Sequence, residues 1–159
     1  MLKSMTINIL TKNAGKLMAA RLIFKRYGIE VNQIDKDYPE IQADNSLEIA
    51  KFTSLQAAKD LNLAVVREDH SLFINALGIP GPYTSYIEKQ LPAKKLLEIM
   101  QDQPDRNGYF EVATVYAEPD GFTKEYILKA PIIFAEEERV EIWGKNYEAI
   151  AKWLINNKK

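Results

Sequence analysis

The chain alternates between two spacings of hydrophobic residues, one typical of strands and one typical of helices. Apolar and polar residues alternate over 5–10, which predicts a half-buried strand. From Lys16 the apolar residues recur every three or four positions, and Gly28 follows as a suitable helix C-terminal cap. Asn45 with Glu48 three residues later is typical of a capping box, so a longer second helix is predicted to begin there. The first part of the chain is therefore predicted to alternate strands and helices.

The same two patterns continue towards the C-terminus. They predict strands over 29–34, 63–66, 108–117 and 122–129, and helices over 93–100 and 145–156. The turn sequence Pro-Asp-Gly at 119–121 joins the last two strands, which predicts a hairpin. The order of strand, helix, strand, helix and strand, followed by a helix and a hairpin, predicts an α/β fold. We expect a mixed β-sheet with flanking helices.

Length and composition limit the classes of function. At 159 residues, with no repeat or linker, the chain is expected to form a single domain over 1–159. Its net charge of −1 argues against a nucleic-acid-binding face, which needs an excess of basic residues. No apolar run approaches the roughly 18 residues needed to span a bilayer, and the polar N-terminus does not predict a signal peptide. We therefore expect no membrane partner and a cytoplasmic location.

The chemistry of any metal site is also limited by composition. The chain has no cysteine and one histidine, which excludes thiolate sites and sites built from several imidazoles. A bound metal would have to be held by oxygen atoms, which points to Mg²⁺ or a similar hard cation.

The first strand is joined to the first helix by TKNAGKL, residues 11–17. In an open α/β sheet such a turn lies where ligands bind, and a helix start offers N–H groups and a positive dipole end to a phosphate. Asn13 adds an amide, and Lys12 and Lys16 add positive charge. The stretch is not a P-loop, because Leu10 and Leu17 occupy positions that need glycine and Ser or Thr. The alternative for this turn is a capped helix with solvated lysines.

Two adjacent acids, Glu68 and Asp69, follow the predicted strand at 63–66, and a Pro-Gly-Pro turn follows at 80–82. One interpretation is a solvated strand end that happens to be acidic. The other is a metal site at the mouth of a cleft, with the stiff turn forming part of the cleft wall.

Several blocks taken together resemble the Ham1-like nucleoside triphosphate pyrophosphatases, the inosine triphosphatase family. The family motif T-G-N-x-x-K is matched by TKNAGK, with lysine in place of glycine. Its Pro-Glu before a capped helix, and a lysine within that helix, are matched by Pro39-Glu40 and Lys51. Its E-D-[ST]-x-L and A-L-x-G-x-P-G-P-Y are matched within EDHSLFINALGIPGPY, 68–83. The resemblance extends over about 5–117, and it implies a two-lobed α/β fold, here with a shortened second lobe.

The resemblance implies hydrolysis of a nucleoside triphosphate to the monophosphate and pyrophosphate with Mg²⁺, acting on non-canonical purine nucleotides such as ITP and XTP. It also implies a homodimer. Attack at the α-phosphorus needs neutralisation of the polyphosphate charge and a carboxylate beside the attacking water. The implied metal ligands are Glu40 and Asp69, the acids implied to position water are Asp69 or Glu68, and the implied phosphate contacts are Thr11, Asn13, Lys16 and Lys51.

The C-terminal part departs from the family pattern. The family's F-G-[YW]-D-P and S-H-R motifs, which contact the base, are absent, and Trp143 and Lys145 stand near the place of the second. Both are candidates for base contacts, with an ordinary core residue as the alternative for Trp143. The helix after Lys16 lacks the family's glutamate, and His70 replaces a small hydroxyl residue. His70 is expected to be an exposed loop residue, with a ligand of water or phosphate as the alternative. Two alternatives therefore stay open: a nucleotide-binding sensor without turnover, and a hydrolase of another phosphoanhydride.

Overall fold

The structure, a computed structural model, describes residues 4–134 and 144–158. Its strands are β1 Met5–Leu10, β2 Ile29–Ile34, β3 Val65–Ile74, β4 Ile79–Gly81, β5 Asn107–Ala117 and β6 Thr123–Ile133. Its helices are α1 Ala14–Lys25, α2 Ser46–Leu61, α3 Thr84–Gln90, α4 Ala93–Met100 and α5 Lys145–Asn157. None of the helices in these two ranges has the length and apolarity needed to cross a membrane.

The strands form a mixed sheet in the order β2-β1-β3-β5-β6, with β4 paired to β3. β1 runs parallel to both β2 and β3, whereas β3 pairs antiparallel with β5 and β5 with β6. This confirms the predicted α/β class and the mixed sheet. β1 meets β3 only at Asn8–Val65 and Ile9–Val66, so β3 continues well past the end of β1. Between Val66 and Leu72, where β4 pairs, this edge of β3 has no strand partner among the described residues and lies next to the carboxyl end of β1.

The helices cover both faces of the sheet. Because successive strand residues point to opposite faces, Val66 packs in the cluster that includes Phe24 of α1 and Tyr147 of α5. Its neighbour Val65 packs in another cluster with Ala57 and Ala58 of α2. The rings of Phe24 and Tyr147 have centroids 5.9 Å apart. The sheet therefore lies between α1 and α5 on one side and α2 on the other.

The starts of α1 and α2 agree with the sequence because local hydrogen bonds fix them. The Asn13 side chain accepts from the backbone N–H of Lys16 at 3.0 Å, and the Asn45 side chain accepts from that of Glu48 at 2.9 Å. The side-chain amide of Asn45 also donates to the Glu48 carboxylate at 3.1 Å, so Asn45 is confirmed as the N-cap, and its reciprocal bond to Glu48 is made by the side chain. After α1 the chain turns through Gly28 at φ 68°, a value that favours glycine.

The region after residue 66 differs from the prediction. The strand predicted over 63–66 is β3, which begins at Val65 and ends at Ile74. Its ten residues pair continuously with β5, and this partner is distant in sequence, so hydrophobic spacing alone could not reveal it. β4 and α3 were not predicted either, since each is too short to show a period.

Candidate active site

A cleft of about 650 Å³ lies at the carboxyl end of β1. It is bounded by the turn between β1 and α1, the loop after β2, the middle of β3, and α3. Ligands of open α/β sheets bind at this edge. The residues that line it are Leu10, Thr11, Lys12, Asn13, Lys16, Lys36, Asp37, Tyr38, Glu40, Thr53, Arg67, Asp69, His70, Thr84, Ser85, Glu88, Lys89 and Phe110.

The β1–α1 turn places three predicted phosphate contacts in this cleft: Thr11, Asn13 and Lys16. The backbone N–H of Asn13 donates to the Thr11 hydroxyl at 3.1 Å, which fixes the turn as it enters α1. The Lys16 ammonium donates to the backbone carbonyl of Glu68 at 3.2 Å, so it is held over β3. Burial lowers the pKa of Lys16, while the nearby Glu68 and Asp69 oppose this change. The turn thus combines a helix N-terminus with a cation held in a partly desolvated position.

Asp69 lies in the middle of β3 and contributes a carboxylate to the cleft. Burial raises its pKa, and the positive charges of Lys16 and Arg67 oppose this rise. Its Oδ2 atom is buried and has no hydrogen-bond partner within residues 4–134 and 144–158. A buried carboxylate oxygen without a partner costs free energy unless something binds it. A divalent cation would supply that missing partner.

Glu40 lines the same cleft from its rim, where its side chain is exposed. Its carboxylate lies 3.9 Å from the Arg67 guanidinium, a loose ion pair. The described residues contain no cluster of three or more metal-binding side chains. Mg²⁺ is commonly held by one or two carboxylates, with the rest of its shell from phosphates and water. The two oxygen donors Glu40 and Asp69 fit that requirement.

Glu68 has a different environment from its neighbour Asp69, because adjacent strand residues point to opposite faces. Its side chain is 3% exposed and does not line the cleft. One carboxylate oxygen lies 2.6 Å from Nε2 of His70, and the other accepts a hydrogen bond from the Thr114 hydroxyl at 2.8 Å. Both oxygens of Glu68 are therefore engaged inside the protein.

His70 is a residue of β3, and its side chain is 13% exposed and lines the cleft. The expectation of an exposed loop histidine is therefore wrong, since the longer strand carries the residue inward. Burial lowers the pKa of His70, although hydrogen bonding to Glu68 opposes this. A neutral ring beside a carboxylate acceptor carries its proton on Nε2.

Two other predicted residues, Lys51 and Lys145, do not line the cleft. Lys51 lies on α2, and its ammonium forms an ion pair with Glu125 of β6 at 2.7 Å. This partner lowers the pKa of Glu125. Lys145 is exposed at the first position of α5 and does not line the cleft. Trp143 lies outside the described residues.

The cleft also contains residues that the sequence reasoning missed. Arg67 donates to the backbone carbonyl of Leu10 at 3.3 Å and so links β3 to the end of β1. Its position in the sequence directly before Glu68 and Asp69 could have indicated that it lies at the cleft. Four residues of α3, Thr84, Ser85, Glu88 and Lys89, form part of the wall. No sequence signal pointed to them, because α3 is placed by the pairing of β4 with β3.

Comparison with known proteins extends the sequence resemblance. A model of the Ham1 family matches residues 7–139. A dITP/XTP pyrophosphatase of Methanopyrus kandleri is 37% identical over 147 residues, 92% of this chain and 78% of that protein. One of Methanosarcina acetivorans is 39% identical over 129 residues, 80% of this chain and 66% of that protein.

Solved structures of similar fold agree with these sequence matches. The Staphylococcus aureus Ham1 protein superimposes with a TM-score of 0.67 at 28% identity, over 86% of this chain and 75% of that chain. A HAM1 protein from Coxiella burnetii superimposes with a TM-score of 0.72 over 85% of this chain and 75% of that chain. At 22% identity the second match supports the fold alone.

Proposed function

Because this chain belongs to the Ham1 family, we propose that it is a nucleoside triphosphate pyrophosphatase that acts on non-canonical purine nucleotides such as dITP, ITP and XTP. The products are the nucleoside monophosphate and pyrophosphate. One observation carries the proposal: a cleft at the carboxyl end of β1 holds a buried carboxylate oxygen of Asp69, close to the Lys16 cation, that has no hydrogen-bond partner among the described residues. An anionic substrate with a bound cation complements both groups.

The substrate's phosphates bind at the β1–α1 turn. The free N–H groups of the α1 N-terminus and its positive dipole end attract anionic oxygens, and Thr11, Asn13 and Lys16 surround that position. Lys51 is a further phosphate contact in this proposal, and to act as one it must exchange its ion pair with Glu125.

Glu40 and Asp69 would hold Mg²⁺, which neutralises charge on the polyphosphate and stabilises the transition state. Asp69 orients a water molecule by accepting its hydrogen bond and takes its proton on a carboxylate oxygen. The water oxygen forms a bond to the α-phosphorus as the bond from that phosphorus to the bridging oxygen breaks, and pyrophosphate leaves with the electron pair. A carboxylate whose pKa burial has raised is a better base for this proton than a solvated one. Lys16 offsets negative charge on the phosphates throughout.

We further propose that the enzyme acts in the cytoplasm as a homodimer, and that Lys145 and Trp143 remain candidates for base contacts. Membership of the Ham1 family supports the first two proposals. For the base contacts, the support is their position in the sequence near the missing family motif.

Pyrophosphate release from a panel of ITP, XTP, dITP, dUTP and the eight standard nucleotides tests the proposal, in Mg²⁺ and in EDTA. We expect Mg²⁺-dependent release that is fastest with the non-canonical purine substrates ITP, dITP and XTP. If the folded protein releases pyrophosphate from none of these nucleotides, the proposed enzymatic activity is refuted. Retained binding of ITP in that case would favour the nucleotide sensor, which agrees with the absence of an acidic residue from the first turn of α1.

A further inference from the structure

A buried hydrogen-bonded group lies directly beneath the cleft and is centred on Glu68. One Glu68 carboxylate oxygen is 2.6 Å from His70 Nε2, and the other accepts from the Thr114 hydroxyl at 2.8 Å. The side-chain amide of Asn146, in the first turn of α5, donates to the Thr114 hydroxyl at 3.1 Å and to the Val112 carbonyl at 2.9 Å. A continuous set of hydrogen bonds therefore runs from α5 through β5 to β3.

Two side chains that form hydrogen bonds with Glu68, those of His70 and Lys16, line the cleft. The carboxylate of Glu68 fixes the imidazole of His70, and its backbone carbonyl accepts from the Lys16 ammonium at 3.2 Å. Glu68 thus contacts two cleft side chains without itself facing the cleft. A carboxylate engaged on both oxygens and 3% exposed is poorly placed to bind a cation or water in the cleft.

We propose that Glu68 is a positioning residue, which fixes the ring of His70 as a wall of the cleft that contacts the nucleotide's phosphate end. This proposal rests on the proposed nucleotide pyrophosphatase function, because that function identifies the ligand that His70 contacts as a nucleotide. Geometry is its basis: a carboxylate orients an imidazole when it accepts the hydrogen bond of one ring nitrogen, and it thereby selects the tautomer. His70 and Lys16 line the same cleft, and the Lys16 charge is near enough to act on the ring, so the ring lies at the phosphate end.

The kinetic test compares Glu68→Gln, Glu68→Ala and His70→Ala. Gln retains a carbonyl oxygen that can accept from His70, so we expect KM and kcat within about threefold of the original enzyme. Glu68→Ala and His70→Ala should each raise KM for ITP about tenfold, with a smaller change in kcat. The double variant, which combines Glu68→Ala with His70→Ala, should have a KM no higher than that of either single variant. Both substitutions remove the same hydrogen-bonded pair, so their effects should not add. A loss of kcat of about 10²-fold or more in Glu68→Gln, with unchanged KM, would make Glu68 a catalytic acid or base and overturn the proposal. Additive losses in the double variant would also overturn it.

Thr114→Val serves as the control for a merely structural effect. It removes a hydrogen bond from the same buried carboxylate but leaves the contact of Glu68 with His70. We expect it to lower thermal stability while KM stays within about threefold. If Thr114→Val raises KM as much as His70→Ala does, then loss of packing explains the effect and the positioning role is refuted.

A second measurement requires no turnover. His70 is the chain's only histidine, so imidazole ¹⁵N NMR signals report on this ring alone. At pH 8 we expect a single tautomer with the proton on Nε2 in the original protein and in Glu68→Gln, and a tautomer mixture in Glu68→Ala. A mixture in the original protein would overturn the proposal. If none of the nucleotides is hydrolysed, the affinity of each variant for a non-hydrolysable ITP analogue is measured in place of KM. The positioning role can then be refuted separately from the enzymatic function.

Discussion

Replacing Asp69 by Asn should abolish turnover and at the same time stabilise the fold. Asn has nearly the same shape but carries no negative charge and cannot take a proton. Asp69 has one buried carboxylate oxygen without a hydrogen-bond partner in the described part of the chain, and Lys16 and Arg67 are its main compensating charges. The two effects have separate physical causes and can be measured separately.

The expected loss of activity follows from the role of the carboxylate. General base catalysis by a positioned side chain contributes about 10²–10⁴-fold in rate, which corresponds to roughly 3–5 kcal/mol of activation free energy. We therefore expect kcat for ITP to fall by about that factor in Asp69→Asn. Affinity for the nucleotide without metal should change little, because the substitution leaves the proposed phosphate contacts at the β1–α1 turn intact.

The expected gain in stability follows from the sign of the pKa change. Burial raises the pKa of Asp69 above its ordinary value of 3.8, so the unfolded chain loses this proton first as the pH rises. Folding stability is therefore lost as the pH rises from the unfolded pKa to the folded pKa, and the cost is complete above the latter. Asn removes the cost of a buried charge but leaves an amide in its place. We estimate a net gain of about 1 kcal/mol at pH 7, or a rise in Tm of about 2–4 °C.

The assay pairs pyrophosphate release with thermal unfolding in EDTA at pH 7 and at pH 4. The gain in Tm should shrink at pH 4, where less of the Asp69 carboxyl is ionised in either state. Asp60→Asn on the exposed part of α2 is the matched control, and it should change neither quantity appreciably. Turnover within tenfold of the original enzyme, or a Tm that falls in Asp69→Asn, would refute the reasoning.

Two further predictions follow from single contacts. Glu125→Gln should free Lys51 from a half-exposed ion pair, with a stability change below about 1 kcal/mol and a KM for ITP lowered two- to fivefold in steady-state kinetics. An unchanged KM would remove Lys51 from the phosphate-binding set. Gly108→Ala should lower the free energy of unfolding by about 1–3 kcal/mol, because the new Cβ would collide with the backbone carbonyl oxygen of Phe73 in the paired strand β3. Denaturation with the same midpoint as the original protein would contradict this.

Much of the fold and part of the site could be predicted because they depend on interactions close in sequence. The side chains of Asn13 and Asn45 cap the helices that follow them, and each bond spans three residues. The position of the β1–α1 turn at the cleft was predictable for the same reason, since a strand, a short polar turn and a capped helix occupy contiguous positions. The cleft indeed contains Thr11, Asn13, Lys16, Glu40 and Asp69, all selected from motif positions.

The different environments of the two adjacent acids, with Glu68 buried and Asp69 at the cleft, could not be predicted. It depends on β3 continuing through residues 67–74, and that strand exists because β5 supplies its hydrogen-bond partners. Once the strand is present, alternation places Glu68 towards His70 and Thr114 and leaves Asp69 facing the cleft. The ion pair of Lys51 with Glu125 is likewise a contact between elements that are distant in the chain.

The sequence by itself determined the order of the longer elements, the caps of α1 and α2 and the β1–α1 turn, because backbone sterics, capping and hydrophobic period act over a few residues. Only the tertiary structure decided which charged groups are desolvated, which are paired and which face the cleft. Those properties arise from long-range strand pairing and from burial, and they set the pKa of Asp69 and the orientation of His70.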